Sequence, residues 1–327
     1  MAKKIRIFIL TLLCFTFSLF QFNVVYADNT IYLGGMTAGF EMDLRGAYIM
    51  GISGVITEKG RISPAKNAGL KVGDVILSLD GEAVSDVQSL ENIIKDGNTK
   101  IVKYLRNSKE NITNIKPAKD ALGNYKLGIY IRSALNGIGT ITYVSGNSYA
   151  SLGHPVLSED GELLPVRSGE IMSCNITGVI KGKRGKAGEL RGSFVNNTVI
   201  GNIEKNTSTG IYGEINNSFK EKYNLTKIET GTAVMGDAYI YSTVSGGEIK
   251  KYDISIIKTD YSNKENKNFV IKIEDEELID ITGGIVQGMS GSPIVQNGKL
   301  VGAVTHVFLN DSTRGFGIAI ENMLKNG

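Results

Sequence analysis

The sequence predicts a mainly β protein in which a small α/β unit is followed by a larger β-barrel domain. Of the 327 residues, 40 are glycine, none is tryptophan and 21% are charged, which is typical of a turn-rich β protein. After residue 122, short apolar runs alternate with Gly and Asn turns, and helical periodicity is nearly absent until the C-terminus. A chain of this length holds two compact domains.

Residues 1–27 predict an export segment. The basic residues Lys3, Lys4 and Arg6 precede an apolar run, and the small Ala27 ends the segment as signal peptidase sites do. The segment is either cleaved as a signal peptide or kept as a membrane anchor, since it approaches the roughly 20 residues that cross a bilayer. Either outcome places the rest of the chain outside the cytoplasm.

The net charge and the small number of His and Cys residues argue against nucleic-acid binding and against a metal site. Removing residues 1–27 takes away three basic and no acidic residues, so the formal charge falls from +3 to 0. No clustered Lys/Arg face favours nucleic acid, and the basic run 181–186 predicts a solvated loop that proteases can cut. Two His and one remaining Cys form no metal cluster of the usual spacing, so no metal or cofactor is expected.

Cys174 is the only cysteine after the export segment, so no intramolecular disulfide can form in the rest of the chain. A single cysteine raises the alternative of a thiol nucleophile. Its neighbours alternate as in a strand, however, which favours a small buried side chain.

Residues 31–115 predict the first unit. Ser63 as N-cap, Pro64 at the first helical position and Gly69 as stop predict a short helix. The strand that follows turns at residues 80–81, an Asp-Gly pair. A further helix is predicted to begin at Ser85 or Ser89 and to end at Ile94.

The stretch 63–81 resembles PDZ domains of the bacterial, circularly permuted kind. In that family, backbone N–H groups of a glycine-containing loop capture a peptide carboxylate, and the peptide adds a strand beside the next segment. The resemblance implies that Ala38, Gly39 and Phe40 bind the peptide and that residues 39–44 form the receiving edge. The ligand is either a separate peptide or a segment of the same chain.

Residues 116–327 predict the second domain, with a polar linker over 116–122 and then a β-barrel or double barrel. The strands predicted after the linker are 139–144, 169–180, 198–204, 210–215, 238–244, 248–257, 269–273, 299–306 and 315–320.

The segment 288–293, Gly-Met-Ser-Gly-Ser-Pro, is the candidate nucleophile loop. Acyl transfer needs an exposed nucleophile, a base, and N–H groups aimed at the developing oxyanion. Gly288 can adopt the backbone angles that point its own N–H and that of Ser290 into one concavity, and Gly291 removes bulk behind the nucleophile. The strand–turn–strand context is similar to that of trypsin-like peptidases, with Ser292 replacing a second glycine. The alternative is a flexible Gly/Ser loop.

The chain has only two histidines that could act as the base. In trypsin-like folds the base comes from the first barrel, well before the serine, which selects His154 over His306. The alternative role for His154 is a structural loop histidine. His306 is interpreted as a wall of the substrate channel and as a second candidate base. Pattern alone leaves the orienting carboxylate open among Asp160, Asp237, Asp253, Asp260, Asp275 and Asp280.

The stretches 275–308 and 151–155, Ser-Leu-Gly-His-Pro, closely resemble peptidases of the SpoIVB type from endospore-forming bacteria. The resemblance implies Ser290 as nucleophile, His154 as base and Asp275 as third residue. It further implies a signalling peptidase between the forespore and mother-cell membranes. That enzyme cleaves itself and a membrane-bound regulator of the metalloprotease that matures sigma-K. The competing hypothesis is a non-catalytic PDZ adaptor with a peptidase-like β domain.

Overall fold

The computed structural model describes residues 30–158 and 161–326. The predicted export segment 1–27 and Asp160 therefore lie outside the described residues. The chain is mostly β, with 55% strand and 10% helix. No helix in the described part is long and apolar enough to cross a membrane.

Strands follow one another along the described chain with few helices between them. The strands are β1 (Ile31–Leu33), β2 (Thr37–Ile52), β3 (Val55–Thr57), β4 (Gly60–Ile62), β5 (Val75–Leu79), β6 (Glu82–Ala83), β7 (Lys100–Arg106), β8 (Lys109–Ile115), β9 (Ala118–Lys119), β10 (Tyr125–Lys126), β11 (Ile129–Ser145), β12 (Ser148–Ser151), β13 (Val166–Ile180), β14 (Glu189–Asn202), β15 (Lys205–Thr207), β16 (Gly210–Glu214), β17 (Lys227–Thr230), β18 (Gly236–Ser242), β19 (Lys250–Thr259), β20 (Phe269–Ile273), β21 (Pro293–Gln296), β22 (Lys299–Phe308) and β23 (Asp311–Ala319). The helices are α1 (Pro64–Asn67), α2 (Val87–Ile94), α3 (Asn217–Lys222), α4 (Glu276–Thr282) and α5 (Ile320–Leu324).

The peptidase half consists of two closed antiparallel barrels. In the first barrel each strand pairs with the next in the order β2, β11, β12, β16, β14 and β13, and β13 returns to β2. The β16–β14 step is a single bridge between Gly201 and Ile215. The second barrel closes in the order β18, β19, β20, β23, β22 and β21. The predicted barrel architecture is confirmed.

Alternating apolar residues fill each barrel. Ile141, Tyr149 and Ile171 lie in the core of the first barrel, and Ile254 and Phe269 lie in that of the second. Full burial of each such side chain contributes about 1.5–3 kcal/mol. The barrels therefore have well-packed cores that support the loops between them.

The small domain packs two helices against a sheet. Strands β5, β7 and β8 pair in sequence, and Ile49, Ile76 and Leu79 lie in the domain's core. Helix α2 begins at Val87, between the two predicted starts Ser85 and Ser89, and ends at Ile94 as predicted; its N-cap is Asp86, which accepts the Ser89 N–H at 2.6 Å. The sequence interpretation missed the short helices α3 and α4.

Strand β2 runs through both domains. Its first half lies between β11 and β13 of the first barrel, and its second half pairs with β5 of the small domain at Ala47 and Tyr48. Strand β1 also pairs within the barrel half, with β11 and β17. The small domain is thus attached to the barrel by a continuous strand.

The predicted peptide-binding residues Ala38, Gly39 and Phe40 cannot receive a peptide as an added strand, so this prediction is wrong. Gly39 pairs with Ile138 on one side and with Met172 on the other. Ala38 is fully buried and Phe40 is 2% exposed. Both edges that a peptide would need are occupied by strands of the same chain, because this segment is a central barrel strand.

Candidate active site

The loop between α4 and β21 carries the candidate nucleophile. Gly288 has φ +98° and Gly291 has φ +93°, angles that side-chain-bearing residues rarely adopt. Behind the loop, a Cβ at Gly291 would overlap the carbonyl oxygen of Thr140 and the backbone of Leu152. The two glycines therefore let the loop turn tightly against the first barrel, as the motif predicts.

Strand β11 of the first barrel fixes this loop by three hydrogen bonds. The Thr140 N–H donates to the Ser290 carbonyl at 3.0 Å. The Thr140 hydroxyl donates to the Gly288 carbonyl at 2.8 Å and the Thr142 hydroxyl to the Gly291 carbonyl at 2.7 Å. Sequence reasoning missed both threonines. The available signal was two polar residues on one face of an otherwise apolar strand.

Two backbone N–H groups of the nucleophile loop have no acceptor within the described chain. Among the described residues, neither the Gly288 N–H nor the Ser290 N–H donates to a protein acceptor. The neighbouring Met289 and Gly291 N–H groups are both bonded, to the carbonyls of Val286 and Val304. The predicted oxyanion-hole pair is therefore free to bind an oxyanion.

His154 follows β12 on a tight backbone turn. Leu152 and Gly153 both have positive φ, +66° and +71°. The Nδ1 atom of His154 lies 2.8 Å from the carbonyl oxygen of Pro155. Because a carbonyl only accepts hydrogen bonds, Nδ1 carries the proton and Nε2 holds the lone pair. Burial lowers the pKa of His154 below its ordinary value, and the Pro155 hydrogen bond offsets this in part.

His306 lies beside His154, with ring centroids 4.9 Å apart and ring planes tilted by 41°. A β-bulge at Thr305 interrupts the pairing of β22 with β23 just before His306. Partial desolvation, followed by the neighbouring His154, lowers the pKa of His306 to about 4, although more than a third of the residue stays exposed. Both imidazoles are consequently neutral at physiological pH.

One cavity of about 520 Å³ holds Ser290, His154 and His306. The Ser290 hydroxyl donates to the Thr305 carbonyl at 2.8 Å. In this arrangement the hydroxyl proton is directed to β22, so the hydroxyl must leave the Thr305 carbonyl before it can donate to the base. The structure thus brings together the predicted nucleophile and both histidines.

Comparison with known families identifies both domains. The family model of the SpoIVB peptidase S55 matches residues 123–324, which is more than half of the chain. The chain belongs to the SpoIVB peptidase S55 family. A PDZ domain model matches residues 35–116. The protein is therefore a serine endopeptidase with a PDZ domain. No curated protein matches the chain significantly.

Solved structures overlap parts of this S55 peptidase. The PDZ domain of the SdrC-like protein Lmo2051 from Listeria monocytogenes is 30% identical, with 27% of this chain and 87% of that chain covered and a TM-score of 0.22. The active form of the Rv3671c protease from M. tuberculosis is 13% identical, with 58% and 74% covered and a TM-score of 0.34. Scores this low do not establish a shared overall fold. The assignment rests on the two family matches.

The S55 peptidase structure does not bring Asp275 to His154. Asp275 is the N-cap of α4, where its carboxylate accepts the Leu278 N–H at 2.8 Å and the Asp253 N–H at 3.4 Å. Asp275 stands at the N-terminus of α4, and the nucleophile loop follows the C-terminus. The seven residues of the helix separate these two ends by roughly 10 Å, at 1.5 Å per residue. No carboxylate among the described residues lines the cavity, and the orienting contact of His154 is the Pro155 carbonyl.

Replacing Asp275 by asparagine is expected to change kcat less than about threefold. Asparagine caps helices as well as aspartate does, whereas Asp275→Ala should cost about 1 kcal/mol of stability through the lost cap. Steady-state kinetics and chemical denaturation of both variants measure these effects. Loss of about 10⁴-fold in kcat for Asp275→Asn with unchanged stability would show that the carboxylate orients His154 during turnover.

The cysteine alternative is not supported by the structure of this S55 peptidase. Cys174 is 3% exposed and packs in the core of the second barrel. Burial raises the pKa of its thiol, which disfavours the thiolate that nucleophilic attack requires. Ser292, the departure from the trypsin-like motif, is fully buried and donates to the Ser242 hydroxyl at 2.9 Å.

The acid limb of kcat/KM is expected to have its midpoint below pH 6.5. A base with a lowered pKa loses its proton at lower pH, so neutral His154 is present at pH values where an ordinary imidazole is protonated. A kcat/KM profile from pH 4 to 8 measures the midpoint, and His306→Asn should keep it below 6.5. A midpoint at or above 6.5 would contradict a buried base.

Proposed function

We propose that Ser290 and His154 form the catalytic pair of this serine endopeptidase and that the N–H groups of Gly288 and Ser290 form its oxyanion hole. The observation that carries the proposal is the shared cavity, in which a nucleophile, a neutral imidazole and two unbonded N–H groups meet. Acyl transfer needs these three components together.

The reaction begins when substrate enters the cavity and Ser290 leaves the Thr305 carbonyl. His154 Nε2 takes the hydroxyl proton as Ser290 Oγ attacks the peptide carbonyl. The negative charge on the carbonyl oxygen is stabilised by the two N–H groups. His154 returns the proton to the leaving amine, and water then hydrolyses the acyl-enzyme by the same route. The Pro155 carbonyl holds Nδ1–H throughout and keeps the ring in the required tautomer.

Labelling with a fluorophosphonate probe tests the catalytic pair. The native chain should be labelled, Ser290→Ala should not be, and His154→Ala should be labelled at least about 100-fold more slowly. Cys174→Ser is the matched control and should be labelled at the native rate. Absence of labelling in the native chain would favour the non-catalytic PDZ adaptor, and labelling of Ser290→Ala would place the nucleophile elsewhere.

We further propose that the enzyme acts outside the cytoplasm as a sporulation signalling peptidase. Membership of the SpoIVB peptidase family supports this role, and the basic and apolar character of residues 1–27 supports export. The substrates are the enzyme itself and a membrane-bound regulator of the sigma-K-processing metalloprotease. The PDZ domain holds a peptide of the same or another chain.

Reconstitution with the regulator in lipid vesicles tests this role. Gel analysis should show a discrete cleavage product with the native enzyme and none with Ser290→Ala. An intact regulator in the presence of an enzyme that reacts with the probe would overturn the signalling role while leaving the catalytic pair in place.

A further inference from the structure

The walls of the active-site cavity are apolar on both sides of Ser290. The first barrel contributes Phe40, Leu135 and Ile138, and the second barrel contributes Val286 and Val307. These side chains are fixed by barrel strands or by the short segment that precedes the nucleophile. The cavity therefore offers an apolar surface to substrate side chains on either side of the scissile bond.

The polar groups of the cavity carry no formal charge at neutral pH. Asn136, Gln287 and Thr305 are neutral by chemistry. His154 and His306 are neutral because partial desolvation lowers the pKa of each. No Asp, Glu, Lys or Arg among the described residues lines the cavity. A charged substrate side chain would lose its water there without gaining a partner.

The position of the oxyanion hole indicates which substrate residue contacts the apolar wall of the second barrel. When the scissile carbonyl lies between the N–H groups of Gly288 and Ser290, its own side chain lies beside the segment before Ser290 and the strand after it. Val286 and Val307 come from these two segments. The residue whose carbonyl is attacked therefore meets the apolar wall of the second barrel.

A basic turn lies at the rim of the same cavity. The Gly185 N–H donates to the Leu309 carbonyl at 2.6 Å, and Leu309 and Ala187 both line the cavity. Lys183 and Arg184 in this turn are exposed, and neither forms an ion pair within the described chain. The turn is the basic run that the sequence analysis assigned to a solvated loop.

We propose that the substrate of this peptidase is an extended segment with an apolar residue before the scissile bond and with acidic residues further along the chain, outside the apolar cavity. The proposal rests on the catalytic pair proposed above. The apolar residue packs against the second-barrel wall of Val286 and Val307. The acidic residues lie beside the basic turn of Lys183 and Arg184. The attraction between the acidic residues and this turn is electrostatic, and the charges are exposed to solvent. It therefore weakens as the salt concentration increases.

A matched set of quenched fluorescent peptides tests the apolar subsite. The residue before the scissile bond is Leu, Phe, Ala, Asp or Lys in an otherwise constant sequence. The Leu and Phe peptides should be cleaved with kcat/KM roughly 10- to 100-fold above Ala, and the Asp and Lys peptides should fall below Ala. Equal or faster cleavage of the Asp or Lys peptide would overturn the proposal.

Replacing Val307 by aspartate tests the wall directly. A carboxylate in the uncharged cavity should raise the Lys-to-Leu ratio of kcat/KM by at least roughly 100-fold. Val307→Asn is the uncharged control and should leave Lys disfavoured. Reaction with the fluorophosphonate probe shows that each variant is folded and active. An unchanged ratio in a variant that reacts with the probe would show that Val307 is not part of this subsite.

Charge reversal tests the basic turn. The variant Lys183→Glu, Arg184→Glu should cleave peptides that carry Glu further along the chain, outside the cavity, roughly tenfold more slowly in low salt, and neutral peptides at the native rate. The same net change at Lys59 and Lys66, exposed residues of the PDZ domain, is the control and should have no effect. Equal losses on both peptide sets, or a loss in the control, would overturn the role of the turn.

These outcomes are separable from failure of the catalytic assignment. If Ser290 is not the nucleophile, the probe does not label it and no peptide is cleaved through it. If only the specificity is wrong, labelling of Ser290 persists and the ranking of the peptides changes.

Discussion

Ser290→Ala is expected to lower kcat for peptide hydrolysis by at least roughly 10⁴-fold, with the fold intact. Removal of the nucleophile eliminates the acyl-enzyme route, and only binding and oxyanion stabilisation remain. The hydroxyl makes one hydrogen bond, to the Thr305 carbonyl on the cavity side. Its loss should therefore change stability by about 1 kcal/mol or less. Steady-state kinetics and chemical denaturation provide the two measurements.

The double variant Ser290→Ala, His154→Ala should be no slower than Ser290→Ala alone. The base acts only through the nucleophile's proton, so its removal has no further effect once the nucleophile is gone. Ser292→Ala is the matched control, because this neighbouring serine is fully buried against Ser242. It should lose about 1 kcal/mol of stability and keep kcat. Additive losses in the double variant would mean that His154 acts outside the Ser290 reaction.

Local chemistry made the nucleophile loop predictable from sequence. Positive φ at Gly288 and Gly291 follows from the glycines themselves, and the hairpin at Asn297 and Gly298 follows from its turn residues, both of which have positive φ. These features depend on a few consecutive residues. Most strands of the barrel domain were predictable for the same reason, since their own turn residues bound them, but the short strands β12, β15 and β17 were missed.

Long-range pairing was not predictable in the same way. The alternation of apolar and polar residues in β2 fits a PDZ groove strand and a barrel strand equally well. The difference lies in Ile138 and Met172, residues about 100 and 130 positions further along the chain, which pair with Gly39. A period-2 pattern specifies the faces of a strand but not its neighbours.

The helix-capping role of Asp275 was predictable from its neighbours in the sequence. Aspartate followed by Glu276 and Glu277 is typical of a helix start, because the side chain caps the first turn and acidic residues favour the helix N-terminus. The same residue also matched a family motif, and that match led to a catalytic role. In the structure both carboxylate oxygens accept backbone N–H groups.

Gly291→Ala is expected to destabilise the peptidase domain by about 3 kcal/mol or more and to abolish detectable activity. Positive φ alone costs an alanine roughly 1–2 kcal/mol. The added Cβ would also overlap the Thr140 carbonyl oxygen and the backbone of Leu152. Backbone atoms cannot rotate away as a side chain can, so the nucleophile loop must move from β11. Denaturation midpoints and probe labelling measure the two effects.

Gly298→Ala separates the two causes of this loss. Gly298 also has positive φ, +74°, but a Cβ there meets nothing within 4 Å. Its substitution should therefore cost only the conformational part, about 1–2 kcal/mol, and should leave labelling at the native rate. Equal destabilisation by the two variants would mean that the first barrel does not press on the nucleophile loop. In that case Thr140 and Thr142 would not hold Ser290 in place, and the coupling between the barrels inferred from their hydrogen bonds would fail.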